Sequence, residues 1–271
     1  VIVFPNAKIN LGLRILRKRP DGYHDLESAF LPVSLTDMLE TVPAGSGPRR
    51  DRLSLTGIPL EARDDNLCMQ AVRLFRERHG IPFVKLHLHK RIPAGAGLGG
   101  GSADAAFTLL ALNELFSLDL DLSVLLEYAS MLGSDCPFFL INEPCLASGR
   151  GDRLESLQIG LSGYVLLLVM PGFSMDTGKA YQMASPTAKG PSVKEVIKLD
   201  PREWKGRLVN HFEEPVFEVY PELVEVKQRL YDAGAVYASM SGSGTAVYGL
   251  FAERPVIPRE ISRYPLHVER I

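Results

Sequence analysis

Cysteine is scarce in this 271-residue chain: Cys68, Cys136 and Cys145 are an odd number, and no two make a C-x-x-C pair. That argues against a disulfide framework and against the usual zinc-ligand spacings, and predicts reduced thiols in a cytosolic protein. Long apolar runs are also missing. The longest lies near Val165 to Met170, well short of the roughly 18 residues of a membrane span. Val1-Ile2-Val3-Phe4-Pro5 is too short and uncharged to read as a secretory signal. Neither sign of charge dominates, with a net charge of -2. No global field therefore draws the chain to nucleic acid or to an anionic membrane, and any polyanion site must be local. These absences predict a cytoplasmic protein with neither nucleic-acid nor membrane partners.

What is present is ordinary globular material: 46% of residues are apolar and 23% charged. That is enough for one large domain or two modest ones. Ala7, Ile9, Leu11, Leu13 and Ile15 alternate with Lys8, Asn10, Gly12 and Arg14. Period two predicts a strand with the odd positions on a core and Lys8 and Asn10 together on the other face. Arg19 to Gly22 reads as a turn, and residues 43–52, rich in glycine, proline and charge, as a mobile loop. Asp65 is placed to cap a helix from about Asn66 to His79, ended by Gly80. Val84, Leu86 and Leu88 alternate with Lys85, His87 and His89, giving a second strand with one wet face. Ser102 reads as the cap of a helix to about Phe116, and a further helix covers about Ser123 to Leu132. Phe138 to Ile141 reads as a short apolar strand. A composition shift at residues 155–163 predicts a domain boundary, with domains at 1–158 and 159–271. Beyond it come a buried strand at Tyr164 to Met170, helices near Ser192 to Leu199 and Pro221 to Ala233, and strands at Val236 to Met240, Ala246 to Phe251 and Leu266 to Ile271.

The chemistry-bearing stretch is Pro93-Ala94-Gly95-Ala96-Gly97-Leu98-Gly99-Gly100-Gly101-Ser102, set between a strand and a helix. Glycine tolerates positive φ, so successive N–H groups can aim at one point, and the helix start adds its own unpaired N–H groups. That is an anion cradle. A flexible linker is a poor alternative, because linkers are rarely pinned between a strand and a helix. Gly95 to Gly100 formally matches the dinucleotide pattern G-x-G-x-x-G, but such a site follows a fully apolar parallel strand. A P-loop would need a lysine after the glycines, and none follows. His87 and His89, two apart on a wet face, are assigned nothing.

The loop resembles the central motif of the GHMP small-molecule kinase superfamily. Pro5-Asn6-Ala7-Lys8-Ile9-Asn10-Leu11, Asp65-Asn66-Leu67 and Met240-Ser241-Gly242-Ser243-Gly244-Thr245 resemble its other motifs. The extra Asn6 between proline and alanine is a departure at the strand entry. Within the superfamily, Pro20-Asp21-Gly22-Tyr23-His24 and Gly133-Ser134-Asp135-Cys136-Pro137-Phe138-Phe139 resemble the branch that phosphorylates 4-diphosphocytidyl-2-C-methyl-D-erythritol in non-mevalonate isoprenoid synthesis.

The resemblance implies an α+β, two-domain fold, the second domain ferredoxin-like, with the active site in the cleft between domains. It implies ATP and Mg2+ as cofactors and ATP with the cytidylyl alcohol as substrates, in a monomer or homodimer. Lys8 and Asp135 fall where the family's catalytic lysine and aspartate sit. Without the resemblance, Lys8 would read as solvent-facing and Asp135 as a turn or capping residue. Asn66 and residues 93–102 (Pro93, Ala94, Gly95, Ala96, Gly97, Leu98, Gly99, Gly100, Gly101, Ser102) would hold ATP, with Ser102 near Mg2+. Asn10, Tyr23, His24, Phe30 and Tyr181 would hold the acceptor, its cytosine stacked on the aromatic side chains and read by His24 and its tail hydrogen-bonded by Asn10, while Ser241, Gly242, Ser243 and Gly244 border its phosphates. By its residues alone Tyr23 could equally be a core aromatic. Two rivals remain: a GHMP kinase of homoserine or mevalonate, and a nucleotide-binding regulator on an inert kinase fold.

Overall fold

The computed structural model describes residues 1–45, 50–60 and 66–271. In chain order the strands are β1 (Ile2–Val3), β2 (Asn6–Lys18), β3 (His24–Thr36), β4 (Met38–Pro43), β5 (Arg52–Gly57), β6 (Val84–Lys90), β7 (Cys145–Gly149), β8 (Arg153–Ser156), β9 (Val165–Val169), β10 (Tyr237–Met240), β11 (Val247–Phe251) and β12 (Leu266–Arg270). The helices are α1 (Leu67–His79), α2 (Gly100–Leu115), α3 (Leu122–Leu132), α4 (Cys136–Ile141), α5 (Thr177–Met183), α6 (Val193–Val196), α7 (Glu213–Val219) and α8 (Glu222–Asp232). Residues 46–49 of the predicted mobile loop, and Asp65, lie outside the described residues.

The chain forms two units, each assembled from several stretches. Val1–Ala7, Ser34–Pro93 and Gly99–Asn142 make the first; Lys8–Val33, Ala94–Leu98 and Glu143–Ile271 make the second.

The first unit holds a four-stranded sheet in the order β1-β4-β6-β5, in which β4 and β6 are antiparallel and β5 and β6 parallel. The period-two reading of β6 holds: Val84, Leu86 and Leu88 are buried, while Lys85 is exposed and His87 half-buried. The buried residues join Ala71, Val72 and Phe75 of α1 and Ala105, Leu109 and Leu112 of α2 in one core. Asn66, expected as the first helical residue behind an Asp65 cap, is instead the cap of α1: its Oδ1 accepts from the Cys68 amide at 2.9 Å, the helix starts at Leu67, and Gly80 closes it in the left-handed region as expected.

Two predicted elements are corrected here. Ser102 is not a cap: α2 starts at Gly100, and its cap is Gly99 at φ 71°, a conformation that favours glycine, which leaves Ser102 inside the first turn. The apolar run at Phe138 is helical rather than extended. Pro137 presets helical φ in the first turn, and Asn142 ends the helix in the left-handed region. A short apolar run does not distinguish a buried strand from one buried helical turn.

The second unit contains an antiparallel sheet in the order β10-β11-β9-β12. Its core combines Leu13 and Ile15 of β2, Val165, Leu167 and Val169 of β9, and Leu223, Val226 and Leu230 of α8. Most of a third sheet, β2-β3-β7-β8, also lies here. The odd positions of β2 are buried as expected, but so are Lys8, Asn10 and Arg14, so neither face of this strand is wet.

Candidate active site

Within the second unit, β2 carries Lys8 and Asn10 on one face. Lys8 is 3% exposed and Asn10 2%. The Lys8 ammonium donates to Asn10 Oδ1 and stands 4.6 Å from the centre of the Phe30 ring. Asn10 is itself held, donating from Nδ2 to Ser28 Oγ at 2.8 Å. Its backbone N–H donates to Ser241 Oγ at 3.2 Å, and its carbonyl accepts from the Tyr248 hydroxyl at 2.8 Å. A buried ammonium is costly unless polar groups surround it, so this pocket is built to keep a cation in place.

The glycine-rich stretch from Ala94 to Leu98 runs beside it. The Lys8 amide donates to the Leu98 carbonyl at 3.0 Å, and the Ala246 amide to the Ala96 carbonyl at 3.0 Å. The Ser241 hydroxyl donates to the Gly97 carbonyl at 2.8 Å. Three segments that the sequence singled out, at Lys8, Gly97 and Ser241, are therefore one hydrogen-bonded cluster. The glycines have different tasks. Gly95 and Gly97 have positive φ, and a Cβ on Gly97 or Gly244 would run into the other loop's backbone. These glycines allow two loops to touch. Ser243 Oγ donates to Thr177 Oγ1 at 3.2 Å, and Gly242 faces Asn10.

The aromatic residues lie in the same unit. His24 stacks on Tyr181 with centroids 5.0 Å apart and planes 16° apart, and Tyr181 meets Phe212 edge-on. Burial first, then the nearby Lys18 charge, holds the His24 pKa below the ordinary histidine value. Tyr23 is 55% exposed, with the Arg150 guanidinium 4.9 Å from its ring centre, so it is not a core aromatic. Phe30 is buried, and its ring faces the Lys8 ammonium.

In the first unit, Asp135 is half-buried at the start of α4, and its side chain makes no capping hydrogen bond. The carboxylate is thus not spent on the capping role that such an aspartate commonly has. Gly101 is exposed, and the nearest side-chain atom to a Cβ there would be Leu67 Cδ1 at 4.0 Å. The Ser102 hydroxyl is in hydrogen-bond contact with the Cys136 thiol, whose pKa burial pushes up to about 12. Among the described residues no three His, Cys, Asp or Glu side chains group to hold a metal.

The sequence reading missed a buried ionic cluster in this unit. Lys90 Nζ donates to Asp37 and, at 2.6 Å, to Asp104 Oδ2. Asp37 Oδ1 also accepts from the amides of Arg91 and Ile92. Burial, and after Lys90 the neighbouring Asp37, act on the Asp104 carboxyl, which ends up at about 7. Burial works against the Lys90 charge, but Asp104 and Asp37 outweigh it and keep the ammonium protonated. A signal was available: Lys90 is in phase with Val84, Leu86 and Leu88, on the core face of β6.

Family models for the GHMP kinases N terminal domain and the GHMP kinases C terminal match residues 66–143 and 191–265. A protein of Parabacteroides distasonis named 4-diphosphocytidyl-2-C-methyl-D-erythritol kinase is 46% identical over 97% of this chain and 96% of its own. The chain belongs to the GHMP kinases. As a member of that family it is a small-molecule kinase, in the branch of its 4-diphosphocytidyl-2-C-methyl-D-erythritol kinase relatives. A crystal structure of 4-(cytidine 5'-diphospho)-2C-methyl-D-erythritol kinase, 37% identical, aligns with a TM-score of 0.76 over 92% of this chain and 90% of that one. A crystal structure of mevalonate kinase aligns at 0.71 over 99% and 98%, but at 14% identity, so it shares the GHMP fold alone. No helix among the described residues is long and apolar enough to cross a membrane.

Proposed function

We propose that this GHMP kinase transfers the γ-phosphate of ATP to the 2-hydroxyl of 4-diphosphocytidyl-2-C-methyl-D-erythritol, releasing the 2-phosphate and ADP in isoprenoid precursor synthesis. The observation that carries the reading is the buried Lys8 ammonium, seated by Asn10 and Phe30 on a strand hydrogen-bonded to the glycine loop. Phosphoryl transfer needs positioning and charge neutralisation more than covalent chemistry. The backbone amides of residues 93–102 hold the triphosphate, with Asn66 near the adenosine. Lys8 offsets charge on the reacting oxygen, and Asp135 takes or orients the proton of the attacking hydroxyl. No covalent intermediate on the enzyme is involved.

Mg2+ fits as a companion of ATP rather than as a resident of a protein cage. The Ser102 hydroxyl would be its protein ligand, and among the described residues no three His, Cys, Asp or Glu side chains group to hold a metal, a donor set suited to a cation carried mainly by phosphate oxygens. When bound, it would neutralise phosphate charge. Tyr23, His24 and Tyr181 supply ring faces for cytosine, a stack worth about 1–3 kcal/mol per base in nucleic-acid systems. Asn10 meets the acceptor's alcohol end, and residues 241–244 border its phosphates.

The test is ADP release by purified protein with ATP, Mg2+ and a panel of alcohols, with the product identified by phosphorus NMR. Turnover of the cytidylyl alcohol alone supports the proposal. Turnover of homoserine or mevalonate instead would replace it, and ATP binding without turnover of any acceptor would favour a regulator.

A further inference from the structure

The glycine loop has to be held at both ends. Gly95, Gly97 and Gly99 all have positive φ, and glycine loses more backbone freedom on ordering than any other residue. The Lys90 cluster lies at the loop's entry and its exit. Asp37, just beyond β3, accepts from the Arg91 and Ile92 amides at 2.6 and 2.9 Å, and so fixes the chain where β6 gives way to the loop. The same carboxylate takes a hydrogen bond from Lys90 Nζ, which reaches across to Asp104 in the second turn of α2. Gly100 makes room for this: a Cβ there would stand 3.3 Å from Lys90 Nζ and 2.8 Å from Ile92 Cγ2. The side chains of Lys90, Asp37 and Asp104 are almost wholly buried.

Burying one ammonium with two carboxylates costs several kcal/mol per ion before their attraction offsets it. A contact needed only for packing between β6 and α2 would be served as well by apolar side chains. An ionic brace adds direction, because each hydrogen bond sets where a particular backbone segment lies. Asp104 Oδ1, buried and with no hydrogen-bond partner, adds a desolvation cost to placing a carboxyl here.

We propose that Lys90, gripped by Asp37 and Asp104, is a positioning residue for ATP: it locks the start of the glycine loop to the first turns of α2, so that the phosphate-binding amides are set before the nucleotide arrives. The inference rests on the ATP role of the loop given above. Preorganised donors bind without the entropy cost of ordering them, so loss of the brace falls on the nucleotide rather than on the acceptor.

Steady-state kinetics of the full chain, varying ATP and the cytidylyl alcohol in turn, test it alongside melting temperature. Lys90→Met and Asp104→Leu are expected to raise the KM for ATP about tenfold or more while the acceptor KM stays within about twofold. Asp104→Asn keeps an oxygen for Lys90 Nζ and is expected to stay within about threefold of wild type. Variants that melt lower with both KM values unchanged, or whose two KM values rise together, would overturn it. Should Lys90→Met not fold, Lys90→Gln, which keeps most of the length and a polar end but not the charge, tests the same joint: a raised KM for ATP with the acceptor KM unchanged supports the brace, and an unchanged KM for ATP rejects it. Wild-type protein that turns over no alcohol with ATP would defeat the functional reading itself, a different outcome from an active enzyme whose brace variants bind ATP normally.

Discussion

The Ser241 hydroxyl donates to the Gly97 carbonyl at 2.8 Å, and a Cβ on Gly97 would overlap the Ser241 carbonyl oxygen. Two glycine-containing loops, 144 residues apart in the chain, are in backbone contact because Gly97 on one and Gly244 on the other carry no Cβ where they meet.

Gly97→Ala and Gly101→Ala should therefore separate a packing glycine from a ligand-facing one. At Gly97, positive φ and the overlap act together, the φ term alone costing about 1–2 kcal/mol. Melting temperature and kcat/KM should both fall, the latter by about tenfold or more. At Gly101, inside α2 and facing open space, alanine should stabilise the helix by roughly 0.5–1 kcal/mol. The KM for ATP should nevertheless rise. Calorimetry with kinetics checks both, and identical behaviour of the two variants would refute the distinction.

Lys8→Met keeps the shape of the side chain and removes the charge seated by Asn10 and Phe30. Asp135→Asn removes the proposed proton acceptor at the start of α4 without removing a capping hydrogen bond. Each should lower kcat by about 100-fold or more while ATP still binds, as measured by titration calorimetry. Near wild-type turnover in either variant would remove that residue from the mechanism.

Tyr23→Ala should leave the melting temperature unchanged, since more than half of the side chain is exposed. Its effect belongs in the KM for the cytidylyl substrate, with kcat little altered. A large loss of stability with no change in KM would assign Tyr23 to packing.

His211 accepts from the Ile15 amide at 3.0 Å through Nδ1, and burial first, then the Arg14 charge, lowers its pKa below the ordinary 6.5. The unfolded chain therefore takes up the proton first as pH falls. Stability is fully present above about 6.5 and declines as pH drops from there towards the folded value. His24, shifted in the same direction, adds to the effect. His211→Asn, which can still accept from Ile15, should flatten the dependence of melting temperature on pH in that window. An unchanged slope would locate the effect elsewhere.

Reading the sequence worked where a local pattern had one physical solution. The alternation through Ala7 to Ile15 and Val84 to Leu88 is a strand in each case, and Gly80 ends α1 as its chemistry suggests, whereas Asn66, expected as the first helical residue, is itself the cap. It failed at Phe138 to Ile141, where four apolar residues fit a strand as well as one helical turn, and at Ser102, where Gly99 caps instead. Long β3, with its mixed pattern from His24 to Thr36, was not legible as a strand. The Lys90–Asp104 pair is not legible locally, because its partner Asp37 is more than 50 residues from either, although the sequence does show Lys90 in phase with the core face of β6.

By itself the sequence determined the local devices: a glycine run flanked by a strand and a helix, a lysine and an asparagine two apart on a strand, and an aspartate before Cys136-Pro137. Backbone sterics and side-chain chemistry act over a few residues, so such features can be read from neighbours alone. The tertiary structure decided that Lys8 is buried rather than wet, that Gly97 is a contact point between loops, and that Asp37, Lys90 and Asp104 share one buried ionic site. Burial and charge pairing depend on groups brought together across the chain, and no local pattern contains them.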